Sequence, residues 1–434
     1  MASSERERGD RWYWPLWGVA AAFGAYFCMY AFRKPFTAAG YADEALWGVD
    51  YKSVLVIAQV LGYTLSKFIG IKVVSELSPR LRGVGILVLI GIAEFALLLF
   101  GLIPAPYNFA PLFLNGLPLG MVFGLVLGFL EGRRLTEALT AGLCASFILA
   151  DGVMKSIGAW LLSLGTPEYW MPFLAGLPFA LPLLLCVWML TKLPQPSASD
   201  ERERTERVTM NGTARYRFYM RYGLGITLIV GVYLMVTILR SMRADFAPEL
   251  WRELGAEAAP SIFARSEIFV ALGVLVVNGA SVLVRDNRTA FFASLGVSLA
   301  GILLVAAALV LQGGDSLGAF PFMVLLGLGL YLPYVAIHTT VFERLIAMTR
   351  DRGTIGFLMY VADAFGYLGY VAVMLVRGVL TPQENILGFF STVCWGIVGV
   401  SLFSLVGAGA YFAVRRGGEQ PAKLAPKPLG TEAA

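Results

Sequence analysis

Apolar residues in this chain run in long unbroken stretches, not at alternate positions, and short polar segments separate the stretches. Alternation marks a half-buried strand, whereas a run of ~20 apolar residues matches a helix crossing ~30 Å of hydrocarbon at ~1.5 Å per residue. Inside lipid every backbone N–H and C=O must be paired within the protein, which leaves helices or closed barrels as spanning elements. The unbroken pattern selects helices. It predicts twelve, at residues 14–39, 51–71, 83–103, 111–130, 138–164 and 171–190, then 222–240, 261–284, 290–311, 320–342, 354–376 and 386–414. One long polar segment, 191–221, divides them and carries the run ERERTER at 201–207. The chain therefore reads as an all-α polytopic membrane protein with twelve transmembrane helices. Residues 1–192 form one six-helix bundle, 193–221 a cytoplasmic linker, 222–416 a second six-helix bundle and 417–434 a cytoplasmic tail.

Composition agrees and removes other classes. Hydrophobic residues make up 58% and charged residues 15%, against ~45–50% and ~25% in ordinary soluble domains. Disorder needs the opposite balance. Cys28, Cys144, Cys186 and Cys394 stand singly in apolar runs, without any C-x-x-C, and the chain has one His, so no metal site or cofactor is expected. No nucleophile elbow or catalytic His/Asp cluster is present, so the chain is not read as an enzyme. Nothing points to nucleic acid. With the N-terminus in the cytoplasm, inside segments hold 24 of the 34 Lys and Arg and outside segments about five, Arg243 and Lys52 among them. That asymmetry places both termini in the cytoplasm and fits a bacterial inner membrane. Residues 1–10 are charged, so no cleavable signal peptide is expected.

The two halves look alike. Glu131 ends the fourth span with Asp151 20 residues on, and Glu343 ends the tenth with Asp363 20 residues on. Both Asp residues follow Ala, and spans one and seven each carry an Arg near the outer end, Arg33 and Arg240. A 6+6 layout of parallel repeats is how major facilitator transporters are built, with the site where the halves meet. Short charged loops after spans two and eight hold Glu76 and Arg80, and Asp286 and Arg288. With Glu131, Arg133, Glu343 and Arg344 they read as cytoplasmic gate loops.

A charge within a span costs at least ~2.5–3.5 kcal/mol and is a functional candidate by default. Tyr26, Tyr30 and Arg33 share one helix face, and so do Gln59, Tyr63 and Lys67. Two hydroxyls beside a guanidinium suit an oxyanion. Lys34 either snorkels to the headgroups or joins that face. Arg240 is the counterpart from the second half, and a planar guanidinium grips carboxylate or phosphate in two-point fashion. One Arg from each half clamping one oxyanion is the central expectation. Asp151 and Lys155, at i and i+4, either pair with each other or contribute pocket charge. Asp363 either pairs across spans or carries a coupling proton. Glu94 is expected to pair, and His338 is either a bonded structural residue or a pocket group.

At these residues the chain resembles the organophosphate:phosphate antiporter family of the major facilitator superfamily. The likeness lies in F-G-x-Y-x-x-x-Y-x-x-R-K-x-F from Phe23 to Phe36, and Y-x-x-S-K-F from Tyr63 to Phe68. It continues in F-L-N-G-L-x-x-G from Phe113 to Gly120, L-R-x-x-x-x-D-F-x-P from Leu239 to Pro248, and F-G-Y-L-G from Phe365 to Gly369. The resemblance implies that Arg33 and Arg240 bind phosphate, and that Tyr26, Tyr30, Lys67 and Tyr367 line the same pocket. It also implies a monomer that exchanges an organic phosphate for inorganic phosphate. The chain departs from the family after span four, with GLVLGFLEGRRLTEA, and in span five, with ADGVMK in place of a polar pair and glycines. An added acid and base there suit either an amino-bearing anion or proton coupling. The expected function is secondary transport of an organic anion by alternating access; the alternative is a transporter-like membrane sensor of a phosphate ester.

Overall fold

The computed structural model describes residues 13–41, 45–78, 80–130, 136–194, 212–256, 259–281, 284, 286–349, 355–380 and 385–414. The long helices are α1 (Tyr13–Ala31), α2 (Tyr51–Glu76), α3 (Arg82–Leu102), α4 (Phe109–Leu130), α5 (Thr136–Ser163) and α6 (Met171–Thr191). The second set is α7 (Gly212–Asp245), α8 (Ser261–Ser281), α9 (Asn287–Gly313), α10 (Ala319–Leu345), α11 (Ile355–Leu380) and α12 (Ile386–Val414). Among the described residues ten helices are long and apolar enough to cross a membrane, and α1 adds the shorter apolar stretch Leu16–Ala31. With α11, 26 residues long, they make the expected twelve. The chain is an integral multi-pass membrane protein with the 6+6 arrangement.

Three boundaries differ from the sequence pattern. The first helix stops at Ala31 rather than running to residue 39, because Pro35 has no N–H to give the Ala31 carbonyl and its ring clashes with that carbonyl. The chain turns and resumes as a 3₁₀ helix at Pro35–Ala38. Two carbonyls freed at that break find side-chain donors. Asn115 Nδ2 of α4 donates to Phe32 O at 2.9 Å and Gln59 Nε2 of α2 to Arg33 O at 3.0 Å. Second, α7 begins at Gly212, inside the expected linker, whose residues 195–211 lie outside the described residues. Third, a two-strand hairpin precedes α2, with Ala45–Leu46 pairing Val49–Asp50 around Trp47 and Gly48, both at positive φ.

The α2–α4 contact is made of backbone. A Cβ on Gly116 would lie 2.0 Å from Gln59 O, and one on Gly62 2.1 Å from Phe113 O. Without a hydrophobic drive between helices in lipid, such close approach supplies the packing. Contacts of α2 with α11 and of α5 with α8 join the two halves. At the end bearing the α1–α2 and α7–α8 loops, ion pairs tie them further. Lys52 meets Glu249 at 2.6 Å, and Asp50, which also caps α2, meets Arg377 of α11 at 3.2 Å. Lys52, expected outside, is buried.

Candidate functional site

Arg33 leaves the broken end of α1 and is buried between the halves. The Gln59–Asn115 pair (2.8 Å) fixes the backbone on which it stands. Its guanidinium lies 3.9 Å from the centre of the Tyr63 ring, with Tyr30 at 5.8 Å and Tyr367 at 6.0 Å. Rings at that range attract the cation through their quadrupole but do not neutralise it. From the other half, Arg240 of α7 stacks over Tyr334 at 4.5 Å and donates to the Tyr367 hydroxyl at 3.1 Å. Tyr367 thus bonds one guanidinium group and lies near the other, and its ring packs edge-on to Tyr63 at 4.9 Å. Tyr26 packs on Tyr30 and Phe123. Arg240 and the tyrosines, with Lys67, Asp363 and His338, surround about 300 Å³ of space divided into narrow clefts between side chains, and Arg33 stands against the Tyr30, Tyr63 and Tyr367 rings that line it.

The seven buried Lys and Arg side chains among the described residues divide sharply. Lys34, Lys52, Lys67, Lys155 and Arg243 each have a carboxylate partner. Arg33 and Arg240 have none among the described residues, and the Nε of each is without a hydrogen bond. An unpaired buried charge is costly. Two of them, one per half and sharing a tyrosine, form a place where an anion would be compensated.

Beside them lies a chain of four side chains from four helices. Lys67 of α2 meets Asp363 of α11 at 3.0 Å. The other oxygen of Asp363 accepts from the Tyr233 hydroxyl of α7. His338 Nδ1 lies 3.2 Å from the Tyr233 oxygen. His338 sits in a π-helical turn of α10, Ile337–Val341, a distortion found often at functional positions. The single Tyr233 proton goes to Asp363, so His338 Nδ1 donates and its Nε2 is left with a lone pair. That Nε2 has no partner among the described residues.

Lys34 follows Arg33 in sequence but points elsewhere. It bonds Asp245 of α7 and lies 3.5 Å from Asp151 of α5, and does not line the arginine cleft. Asp151 also pairs with Lys155, Tyr370 donates to Asp245 at 3.0 Å, and Arg243 meets Glu267 of α8 at 2.8 Å. This belt of acids and bases spans both halves around a second cavity of about 220 Å³. Arg243, expected outside, is buried in it, and Glu267 is a member that the sequence reading missed. Asp151 and Lys155 are therefore belt residues and do not line the arginine cleft beside it. Glu94 in α3, expected to pair, has neither oxygen bonded among the described residues.

The gate-loop residues are local. Asp286 caps α9, accepting from the Thr289 hydroxyl and backbone N–H at 2.7 Å each, and these donors hold its carboxyl below the usual range. Arg288 donates to Ala413 O at 3.3 Å and Arg344 to Asn287 at 2.8 Å, both within the second half. Arg80 is exposed and Glu343 half-buried; Glu131, Arg133 and the Glu76 side chain lie outside the described residues.

A family model described as a family of unknown function, DUF5690, matches residues 35–415, and the chain belongs to that family. No curated protein matches it. Among solved structures, a point mutant of the nucleoside transporter NupG is similar with a TM-score of 0.57 at 15% identity, over 92% of this chain and 100% of its own. A D-xylose-proton symporter is similar with a TM-score of 0.55 at 14% identity, over 91% and 96%. At such identity the likeness is one of fold. The chain has the major facilitator fold, while its tie to organophosphate antiporters stays a likeness of motifs.

Proposed function

We propose, starting from a DUF5690 chain with the major facilitator fold, that this protein is a secondary transporter of an organic anion, a phosphorylated small metabolite in our reading. Arg33 and Arg240 hold the anionic head and the surrounding tyrosines hold its hydroxyls and body. The observation that carries this is the pairing pattern: the two buried arginines at the junction of the halves are the buried cations lacking an acid among the described residues. Moving a clamp shared by two six-helix bundles, 1–192 and 222–416, is the alternating-access mechanism of this fold. The narrow clefts leave little room for an anion until the bundles part. The ion pairs at the α1–α2 loop end close the side that the basic residues mark as outside.

The test is a thermal-stability screen of the purified protein against inorganic phosphate, sugar phosphates, glycerol phosphate, phosphonates and carboxylates, followed by flux in sealed vesicles. A bound ligand at a hundredfold excess over Kd stabilises by about 2.7 kcal/mol. Wild type should respond to phosphorylated anions, and Arg33→Ala and Arg240→Ala should not. A folded wild type that ignores every phosphate and answers carboxylates alone would remove phosphate from the proposal. A ligand that binds but never crosses the vesicle would favour the sensor.

A further inference from the structure

Among the described residues the Lys67–Asp363 pair is a salt bridge inside the cleft itself, and it joins α2 of one half to α11 of the other. Lys67 also lies 5.2 Å from the centre of the Tyr63 ring, the ring on which Arg33 stacks. An anion held by Arg33 therefore arrives beside the ammonium that Asp363 already occupies. Two negative groups sharing one ammonium in a low-dielectric cleft repel, and uptake of a proton by one of them removes the conflict. Asp363 has a route for that proton. His338 lines the cleft, its buried Nε2 keeps a lone pair without a partner among the described residues, Nδ1–H meets the Tyr233 oxygen, and the Tyr233 hydroxyl bonds Asp363.

We infer that Asp363 is the coupling carboxylate of the site: anion binding displaces it from Lys67, and it takes up one proton through His338 and Tyr233. The inference rests on the two-arginine reading above. The balance is simple. A proton adds to His338 Nε2, the Nδ1 proton passes to the Tyr233 oxygen, and the Tyr233 proton passes to Asp363. The product is a neutral Asp363, a neutral His338 in its other tautomer, and a Lys67 ammonium turned to the anion. One proton travels with each anion, so the transport class is proton–anion symport. The groups facing Asp363 from other helices are Lys67 and Tyr63 of α2, Cys144 of α5, and Tyr233 and Arg240 of α7. His338 and Tyr334 of α10 complete the set, with Tyr367 one turn along α11 itself. Of these, only His338 and Asp363 have ordinary pKa values below the physiological range or at its acid edge. None is a second carboxylate, so Asp363 is the acid on which the incoming charge acts.

The experiment counts protons. Calorimetric titration of purified wild type with inorganic phosphate and with glycerol phosphate, in buffers of different ionisation enthalpy, gives the protons taken up per anion. The same titrations on Asp363→Asn cancel the titration of the probe itself. Wild type should take up about one proton more per anion than the variant, and Asp363→Glu should restore the difference. Equal counts in wild type and Asp363→Asn, with both binding through Arg33, overturn the inference and leave the transporter reading standing. If neither probe binds wild type, the titration is repeated with the anion that the stability screen finds, and if no anion of that screen binds, the two-arginine reading falls and this inference falls with it. Should Asp363→Asn fail to fold with Lys67 unpaired, the double variant Lys67→Gln/Asp363→Asn removes both charges and should show the same missing proton. In vesicles, His338→Gln should slow phosphate uptake driven by a pH gradient at least tenfold. Uptake at the wild-type rate would overturn the route through His338.

Discussion

The arginine cleft and the ion-pair belt lie side by side and are made of the same kinds of residue, yet they solve opposite problems. Arg33 and Lys34 are neighbours in sequence, but one packs on the Tyr63 ring that lines the cleft and the other joins the belt. In the belt Lys34, Lys155 and Arg243 face Asp151, Asp245 and Glu267, so the charges cancel. In the cleft two guanidinium groups face tyrosines and lack an acid among the described residues. A charge within a membrane is thus a poor guide to function until its partner is known. Pairs such as Lys34–Asp245 tie the halves, whereas the unpaired arginines are the groups that an anion would compensate.

The comparison breaks most readily at the belt. Asp151→Asn removes the acid shared by Lys155 and Lys34. Stranding a buried charge costs about 3–5 kcal/mol, and thermal unfolding in detergent should show a loss of that order. If the melting temperature hardly moves, Lys155 and Lys34 are compensated without Asp151. The cleft should behave in the reverse way. Arg33→Met removes an uncompensated charge, so the ligand-free protein should keep its stability, while the shift of about 2.7 kcal/mol at a hundredfold excess of anion should vanish. Loss of stability as large as that of Asp151→Asn would mean that Arg33 has a structural partner.

A smaller effect sharpens the same contrast. Asn115→Leu leaves the Phe32 and Ala93 carbonyls without their donor. An unsatisfied buried group costs about 1–3 kcal/mol, and the anion response should weaken with it because Arg33 stands on that backbone. Stability lost with the response intact would separate Asn115 from the cleft. The smallest effect belongs to Asp286, exposed at the start of α9. Its carboxyl titrates lower in the folded chain than in the unfolded one. Its capping contribution is therefore present above the ordinary carboxylate pKa and fades as pH falls through the lowered value. Asp286→Ala should show a slight loss at neutral pH and none in strong acid, with anion binding unchanged; an altered transport rate would restore a gating role.

Much was legible in the chain and some was not, for identifiable reasons. The Asp151–Lys155 pair followed from i and i+4 spacing, which one helix fixes. The partners of Lys34, Lys67 and Arg243 lie 211, 296 and 24 residues away and on other helices, so no local rule reaches them. Gln59 shares the face of Lys67, yet its work is done on the backbone of another helix. Glu267 carried no local signal beyond being an acid within a span, the same default that picked out Asp151.

The sequence by itself determined the number of spans, the two-half layout and the arginine that each half contributes. Hydrocarbon thickness and the need to pair every backbone group act on each segment separately, so composition alone expresses them. Only the tertiary structure decided which buried charges cancel and which stay open. Electrostatic energy depends on separations of a few ångströms between groups hundreds of residues apart. Those separations exist only once α1 has broken at Pro35, α2 has packed on α4 through Gly62 and Gly116, and the two halves have met.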